Sequence, residues 1–358
     1  MALASRAHEL KDAWDFIETA FEKNWTDGLP VCPPTPDRVQ AMIDAAGRKP
    51  DEVVGLIPPQ NGEATIEKVA IQCVMAGCKP AYFPVVLAAL DALLDERFNL
   101  YGVETTTHAN EPLTIVSGPI VKELGFNYAD AVFGQGRPNA TIGRAIRLIL
   151  WNLGGSYPNL NAKAPLSHPG RYTFCIAENI AENPWAPLHK DFGLTSENGV
   201  VVIGVESPHG MLTLGDAQST LYTWADTICR MGGNNIQYNG GQGLLVMGPK
   251  VAQKVAAAGW SKADIRTFLF DNARRRLGDL RRGFYNFDPS VGNPGWPKWV
   301  DQQNDETRVP VVADPSDLHL AVAGGIAAHW FTAWCPGWGL MGGMAVARPV
   351  PLPKKSAA

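Results

Sequence analysis

The sequence predicts a mixed α/β fold whose sheet layers are built from recurring strand–glycine–helix units. Three observations carry this. Two short runs, YTFCIA at Tyr172–Ala177 and VVVIGV at Val200–Val205, are rich in β-formers and apolar along most of their length, the signature of strands covered on both faces. Longer segments repeat apolar residues three and four apart, which lays one apolar stripe along a helix. The segments LTIVSGPIVKEL (113–124), LLVMGPKVAQKV (244–255) and LHLAVAGGIAAH (318–329) each run from an apolar strand, through Gly with Pro or Gly, to a helix start. They read as a degenerate internal repeat, but steps of about 130 and about 75 residues are too uneven for a solenoid.

In chain order, His8–Lys23 places Leu10, Trp14, Ile17, Ala20 and Phe21 on one helical stripe. Asp27-Gly28 then turns the chain and a proline-rich loop holds it extended. Thr35 is positioned to cap the next helix, with Pro36 in its first turn. Glu63–Met75 and Pro80–Arg97 read as two helices broken at Gly77-Cys78-Lys79-Pro80, where Gly suits the left-handed stop and Pro the restart. A strand is expected before His108 and another at Leu113–Val116. Asn139–Leu153 follows as a helix capped by Asn139 and stopped by Gly154-Gly155. Asp216–Arg230 is expected helical, and GGNNIQYNGGQG after it a loop. Ser261–Arg276 is expected helical behind a Ser261/Asp264 capping box, with Arg274–Arg276 complementing the dipole. Phe284–Gln303 reads as a long irregular connection. The organisation expected is a helical region over 1–98, an α/β domain with a pocket over 99–348, and a disordered tail over 349–358.

Composition narrows the function. The 358 residues are 46% hydrophobic, enough for a large core. Lys plus Arg total 31 against 35 Asp plus Glu, so no global field draws the chain to nucleic acid or an acidic membrane. Runs such as Val85–Leu90 are far shorter than the ~20 residues of a membrane-spanning helix. The opening residues lack a basic stretch followed by an apolar one, so no leader is expected. Six cysteines without a C-x-x-C pair fit a reducing cytoplasm. There is no Walker motif, and the G-x-G-x-x-G at 337–342 (GWGLMG) lies in an aromatic and glycine run with no helix expected after it, so no nucleotide is implied. A small-molecule substrate is the partner this leaves.

The chemistry concentrates between Arg171 and Gly210. Glu178 and Asn179 follow the first apolar run, and Glu206, Ser207 and His209 follow the second. Strand ends are where α/β sheets gather ligands. Two mechanisms stay open. In one, Cys175 is a nucleophile or thiol acid/base paired with His189 or His209, or Cys78 is activated at a helix N-terminus beside Lys79. In the other, a divalent metal is held by ligands drawn from His108, Glu178, His189, Glu206 and His209, with Glu178 or Glu206 as general base. His319 and His329 are accounted for by their strand and helix contexts.

The phrases WTDGLPVCPPTPDRV, VMAGCKP, NATIGRAIRLIL, YTFCIAEN and GWSKADIRTFLFDNAR resemble an uncharacterised bacterial family associated with a separate protein or domain carrying a U-G-S-C or C-G-S-C motif, where U is selenocysteine. This chain contains no Cys-Gly-Ser-Cys. The resemblance implies that a redox-active pair sits on such a partner. The expectation is therefore a cytoplasmic small-molecule enzyme or enzyme subunit of lyase, hydrolase or reductase type. The alternative is a non-catalytic or half-site subunit completed by the CGSC/UGSC-type partner. The aromatic run HWFTAWCPGWGLMGG would then form the oligomer or partner surface.

Overall fold

A computed structural model describes residues 3–238, 241–283, 296, 298–327, 329–338 and 343–351. Helix α1 (Ala13–Glu22) starts where the Asp12 carboxylate accepts the amides of Trp14 and Asp15. At α2 (Pro36–Ala46), Thr35 occupies the cap position without bonding the helix amides. Strands β1 (Val53–Ile57) and β2 (Gly62–Thr65) form a hairpin leading into α3 (Ile66–Ala76), so the start of the helix expected from Glu63 is strand. α3 stops at Gly77 with φ 88°, the left-handed position its sequence suggests. After α4 (Phe83–Leu93), α5 (Leu100–Thr105) replaces the strand expected before His108, because the Asn99 side chain accepts the Gly102 amide and nucleates a helical turn.

The first sheet-forming stretch runs β3 (Glu111–Ser117), α6 (Ile120–Glu123), α7 (Arg137–Asn152), β4 (Cys175–Ala177), β5 (Gly199–Val205) and β6 (His209–Leu212). The second runs α8 (Ala217–Ile228), α9 (Asn234–Tyr238), β7 (Gly243–Met247), α10 (Pro249–Ala257), α11 (Lys262–Asn272), β8 (Arg274–Arg276), α12 (Leu277–Gly283), β9 (Arg308–Pro310), β10 (Leu318–Val322), β11 (Phe331–Cys335) and β12 (Val346–Pro349).

Two four-stranded mixed sheets result, ordered β12-β5-β3-β4 and β6-β11-β7-β10. Their strand directions match. β3 is parallel to β4 and antiparallel to β5, while β7 is parallel to β10 and antiparallel to β11. The edge strands are exchanged: β6 follows β5 in the chain but pairs with β11, and β12 follows β11 but pairs with β5. Val205 and Gly337, at the ends of β5 and β11, form a bridge to each other. Neither sheet can be completed without the other stretch of chain.

The apolar side chains sort into three layers of core. Leu113, Ile115, Val201 and Ile203 of the first sheet meet Leu244, Val246, Ala321 and Cys335 of the second, so the sheets pack face to face. On its outer face the first sheet buries Val116, Val200 and Val202 against α3, α4 and α7. The second buries Leu245, Met247 and Leu320 against α8, α10 and α11. This four-layer helix–sheet–sheet–helix arrangement explains the unbroken apolar runs: every residue of β3, β7 and β10 is buried. The helices of the first 98 residues share one core with the first sheet. Among the described residues, no helix is long and apolar enough to cross a membrane.

Several expectations are corrected. Asn139 does not cap α7; Gly136 holds that position, and Asn139, inside the first turn, exchanges hydrogen bonds with the Asn127 backbone at 2.8 Å each. Among its described residues, the segment 318–329 supplies β10 but no helix, because Gly324 (φ 105°) ends the strand and the chain returns as β11, which lies antiparallel to β7. Arg274–Arg276 lie beyond the capping-box helix and pair with β9 as a short strand. Within GGNNIQYNGGQG, Asn234 and Asn235 are buried in α9 and hydrogen-bond the Gly337 backbone. Most of the irregular connection at 284–303 and the end of the tail, 352–358, lie outside the described residues.

Candidate functional site

The sequence points first to Glu178, and the fold puts it where the two sheets meet. β4 and β10 end side by side, and Glu178 follows β4 directly. Its Oε2 accepts from Ser117 Oγ at 2.5 Å and the Leu188 amide at 2.8 Å; its Oε1 faces the Val322 amide at 3.4 Å and Asn183 Nδ2 at 3.5 Å. Next to it, the Asn179 amide donates to the Val322 carbonyl at 2.8 Å. Burial pushes the Glu178 carboxyl up, against the opposing pull of Lys262 and of these donors. A fully buried carboxyl with this set of donors latches β4 to β10.

His189 lies at the start of β5, packed so closely on Gly199 that a Cβ there would come within 2.7 Å of the His189 Cβ. Burial lowers its pKa, and its Nε2 is 3.1 Å from the Ser196 carbonyl, a neutral ring donating to the backbone. Glu206 follows the far end of the same seven-residue strand. At about 3.4 Å per residue, the length of β5 separates the two by roughly 20 Å. The expected ligand set of His108, His189, Glu206 and His209 therefore does not converge. His108 does approach Glu206, Nε2 to Oε1 at 2.8 Å, although the pair is not aligned as a hydrogen bond. His209 is exposed on β6 opposite Trp334. Among the described residues, no three His, Cys, Asp or Glu side chains gather in a way that could hold a metal ion.

The thiol reading meets a similar correction. Cys175 is buried on β4, and burial, with Cys78 as the neighbouring group, pushes its thiol up. Among the described residues, neither His189 nor His209 acts on it. Cys78 is also buried and donates to the Thr141 carbonyl at 3.3 Å; its amide closes the end of α3 on the Cys73 carbonyl at 2.9 Å. These are core thiols that pack the junction of α3, α4 and α7. Of the six cysteines only Cys32 is exposed. Titration of the native protein with a bulky aromatic disulfide should therefore give one fast thiol, lost in Cys32→Ser, with the other five reacting only on unfolding. A second fast thiol at Cys78 or Cys175 would restore the thiol mechanism.

At the opposite end of the first sheet lies a cluster that the sequence reading passed over. Arg147 projects from α7 between buried apolar neighbours, Ile146 and Leu148, and is itself buried. Its guanidinium reaches Glu104 Oε2 at 3.1 Å and the Ser156 carbonyl at 2.6 Å, while Ser156 Oγ donates to Glu104 Oε2 at 2.5 Å. Glu111, the first residue of β3, accepts from Arg171 Nε at 2.5 Å and from Ser167 Oγ at 3.1 Å. Burial, and then the nearby Glu104 charge, raise the Glu111 carboxyl to about 7 against the pull of Arg171 and Arg147. Asn110 lies over Gly204, where a Cβ would come within 3.3 Å of its Nδ2 and of Val103. That packing gives a reason for the glycine inside the VVVIGV run.

Unpartnered polar atoms concentrate here. Among the described residues, Glu104 Oε1, Arg147 Nε and both side-chain atoms of Asn110 have no hydrogen-bond partner. His168 joins them: its Nδ1 accepts the Gly170 amide at 3.1 Å and burial lowers its pKa, so Nε2 carries the proton. That Nε2 has no hydrogen-bond partner among the described residues. His108, Glu206 and Arg171 are partly exposed at the edge of the cluster. The matching place in the second sheet behaves differently. Gln242, two residues before Leu244 as Glu111 is two before Leu113, has both polar atoms engaged, Oε1 by the Ala345 amide at 2.6 Å and His319 Nε2 at 3.0 Å and Nε2 by Asp317 at 3.1 Å.

One sequence signal could have found this cluster. Arg147 in the middle of an apolar helical face needs a buried anion. Which anion it meets depends on residues 43 positions upstream, and spacing does not give that. No protein-family model and no curated protein matches the chain.

Proposed function

We propose that the chain is an enzyme acting on a polar small molecule by acid/base chemistry, with Glu111 as the proton carrier. The observation that carries this reading is a buried carboxyl raised to about 7 near a second carboxyl, Glu104, and held by Arg171 and Ser167. A general acid or base works best when its pKa lies near the working pH, and perturbed carboxyl pairs gather at functional sites. Arg171 and Ser167 hold the Glu111 oxygen in place, while Arg147 pairs with Glu104 alongside it. His108, Glu206 and His168 supply hydrogen-bonding groups at the edge of the cluster.

The test is a direct titration of the Glu111 carboxyl by carbon-detected NMR, assigned through Glu111→Gln. A midpoint near 7 is the expected result. A midpoint in the ordinary carboxylate range, about 4, removes Glu111 as a proton carrier at neutral pH and with it this reading.

A second reading has an observation of its own. β6 is an edge strand, and Leu212, Leu214, Trp330 and Phe331 on and beside it are exposed, whereas Trp334 on β11 is buried. Contiguous exposed apolar groups mark association surfaces. On this reading the chain is a subunit completed by a second copy or by the CGSC/UGSC-type partner that the resemblance implies. Light scattering on the purified chain, alone and mixed with a CGSC-motif protein, tests it; a monomer in both samples speaks against it.

A further inference from the structure

We infer that the chain has a second binding site, for an amphiphilic carboxylate with an apolar body, in a cavity of about 1090 Å³ under the opening strap of residues 3–12. The cavity lies between that strap, the start of α2, α3 and the end of α7, and none of its lining residues belongs to the Glu111 cluster. Its volume is that of a large small-molecule pocket. The site therefore stands or falls independently of the reading of Glu111.

The walls account for the apolar body. Phe16, Val39, Ile71 and Met75 line the cavity and belong to the core that the first sheet shares with its helices. Over them runs the strap, which has no secondary structure before α1 and is tied down where the Ala4 and Ser5 amides donate to the Glu67 carboxylate at 2.9 Å and 2.7 Å. Removing an apolar body from water against such walls drives binding without fixing its orientation.

The polar groups select the head. Gln72 lines the cavity from α3 and is only 6% exposed. Its amide is oriented by its neighbours: the Trp25 carbonyl can only accept, so Asn152 turns Nδ2 to it at 2.9 Å, and the same Nδ2 donates to Gln72 Oε1 at 2.8 Å. That leaves Gln72 Nε2, a donor, without an acceptor among the described residues. At the rim, Arg6 and Arg38 are exposed and form no hydrogen bond or ion pair among the described residues; Arg38 acts on Asp37 only as a charge. The two carboxylates of the lining are committed to backbone amides, Asp12 to Trp14 and Asp15 at 2.8 Å and 2.9 Å, and Glu67 to the strap. A carboxylate head thus meets guanidinium and amide donors, while an ammonium head meets no uncommitted acid.

The test uses octanoate, 1-octanol and octylammonium on the full chain carrying 13C-methyl methionine. Binding is followed by the methyl signal of Met75, assigned through Met75→Leu. Octanoate is expected to shift that signal saturably, with octanol and octylammonium about tenfold weaker or more, the weight of a charge-assisted head. Replacing Arg6 and Arg38 together by alanine, at exposed positions where the fold is not at stake, should weaken octanoate about tenfold and leave octanol within about twofold. Gln72→Glu keeps Oε1 for Asn152 and removes only the donor, so it should weaken octanoate as well, with circular dichroism matching the parent. A Met75 signal that none of the three probes moves overturns the inference. So does octanol or octylammonium binding as tightly as octanoate, the result expected of a cavity that takes any apolar chain. Octanoate affinity unchanged in the Arg6/Arg38 double variant overturns it too, since the head would then not be read at the rim.

Discussion

Replacing Glu178 by alanine is expected to lower the unfolding free energy by about 3–5 kcal/mol, read by urea denaturation. Ser117 Oγ and the Leu188 amide donate to this carboxyl at 2.5 Å and 2.8 Å, and the Val322 amide faces it at 3.4 Å. The alanine variant strands these donors in the interior, where each unsatisfied group costs on the order of 1–3 kcal/mol, and adds a void. Glu178→Gln keeps the volume and one accepting oxygen, so it should recover part of the loss. The pH dependence has a defined sign. Because the folded carboxyl titrates above its unfolded value, the protonated form favours folding at low pH, and that contribution fades as pH rises through the folded pKa. A loss under ~1 kcal/mol in Glu178→Ala, below what even one stranded donor costs, would mean that the latch between β4 and β10 is not needed.

Replacing Glu111 by glutamine is expected to cut turnover of any accepted substrate by 10²- to 10⁴-fold, the usual weight of a positioned acid or base. The pH–rate limb near neutrality should vanish with it. The same residue shapes stability. Its carboxyl rises from an ordinary 4.5 to about 7 on folding. The stability this gives is therefore complete below about 4.5 and is lost by about 7, an amount of at most about 3 kcal/mol. Glu111→Gln has no such titration, so subtracting its stability profile from the parent's should isolate this slope. Equal slopes in the two proteins would place Glu111 outside the groups that titrate in this window.

The strands and the main helices were legible because their signals are local. Val200–Val205 and Leu113–Val116 lie within β5 and β3 because a strand covered on both faces has no polar side to alternate with. Ser261 and Asp264 form a capping box, and Gly77 ends α3, because caps are made by residues three to five positions apart. The misreadings were also local: β-formers at Leu100–Thr105 suggested a strand until Asn99 capped the turn, and Asn139 resembled a cap while its side chain served Asn127.

The site was legible only as an inventory of reactive residues. Glu206 and His108 do meet, but His189 is set apart from them by the length of the very strand that made them neighbours in the sequence. By itself, the sequence determined the α/β class, the apolar strands, the Gly77 and Ser261 caps and the absence of a strong global charge. Tertiary structure alone decided that edge strands are exchanged between the sheets, that Glu178 is a latch, and that Glu104, Asn110, Glu111, Arg147 and Arg171 share one end of the first sheet. The physical reason is that hydrophobic periodicity fixes which face of an element is buried and carries no record of which distant element covers it. The pKa of a buried carboxyl is set by that covering: by the Glu104 charge that α5 brings near Glu111, and by the Arg171 guanidinium that the approach to β4 sets against it.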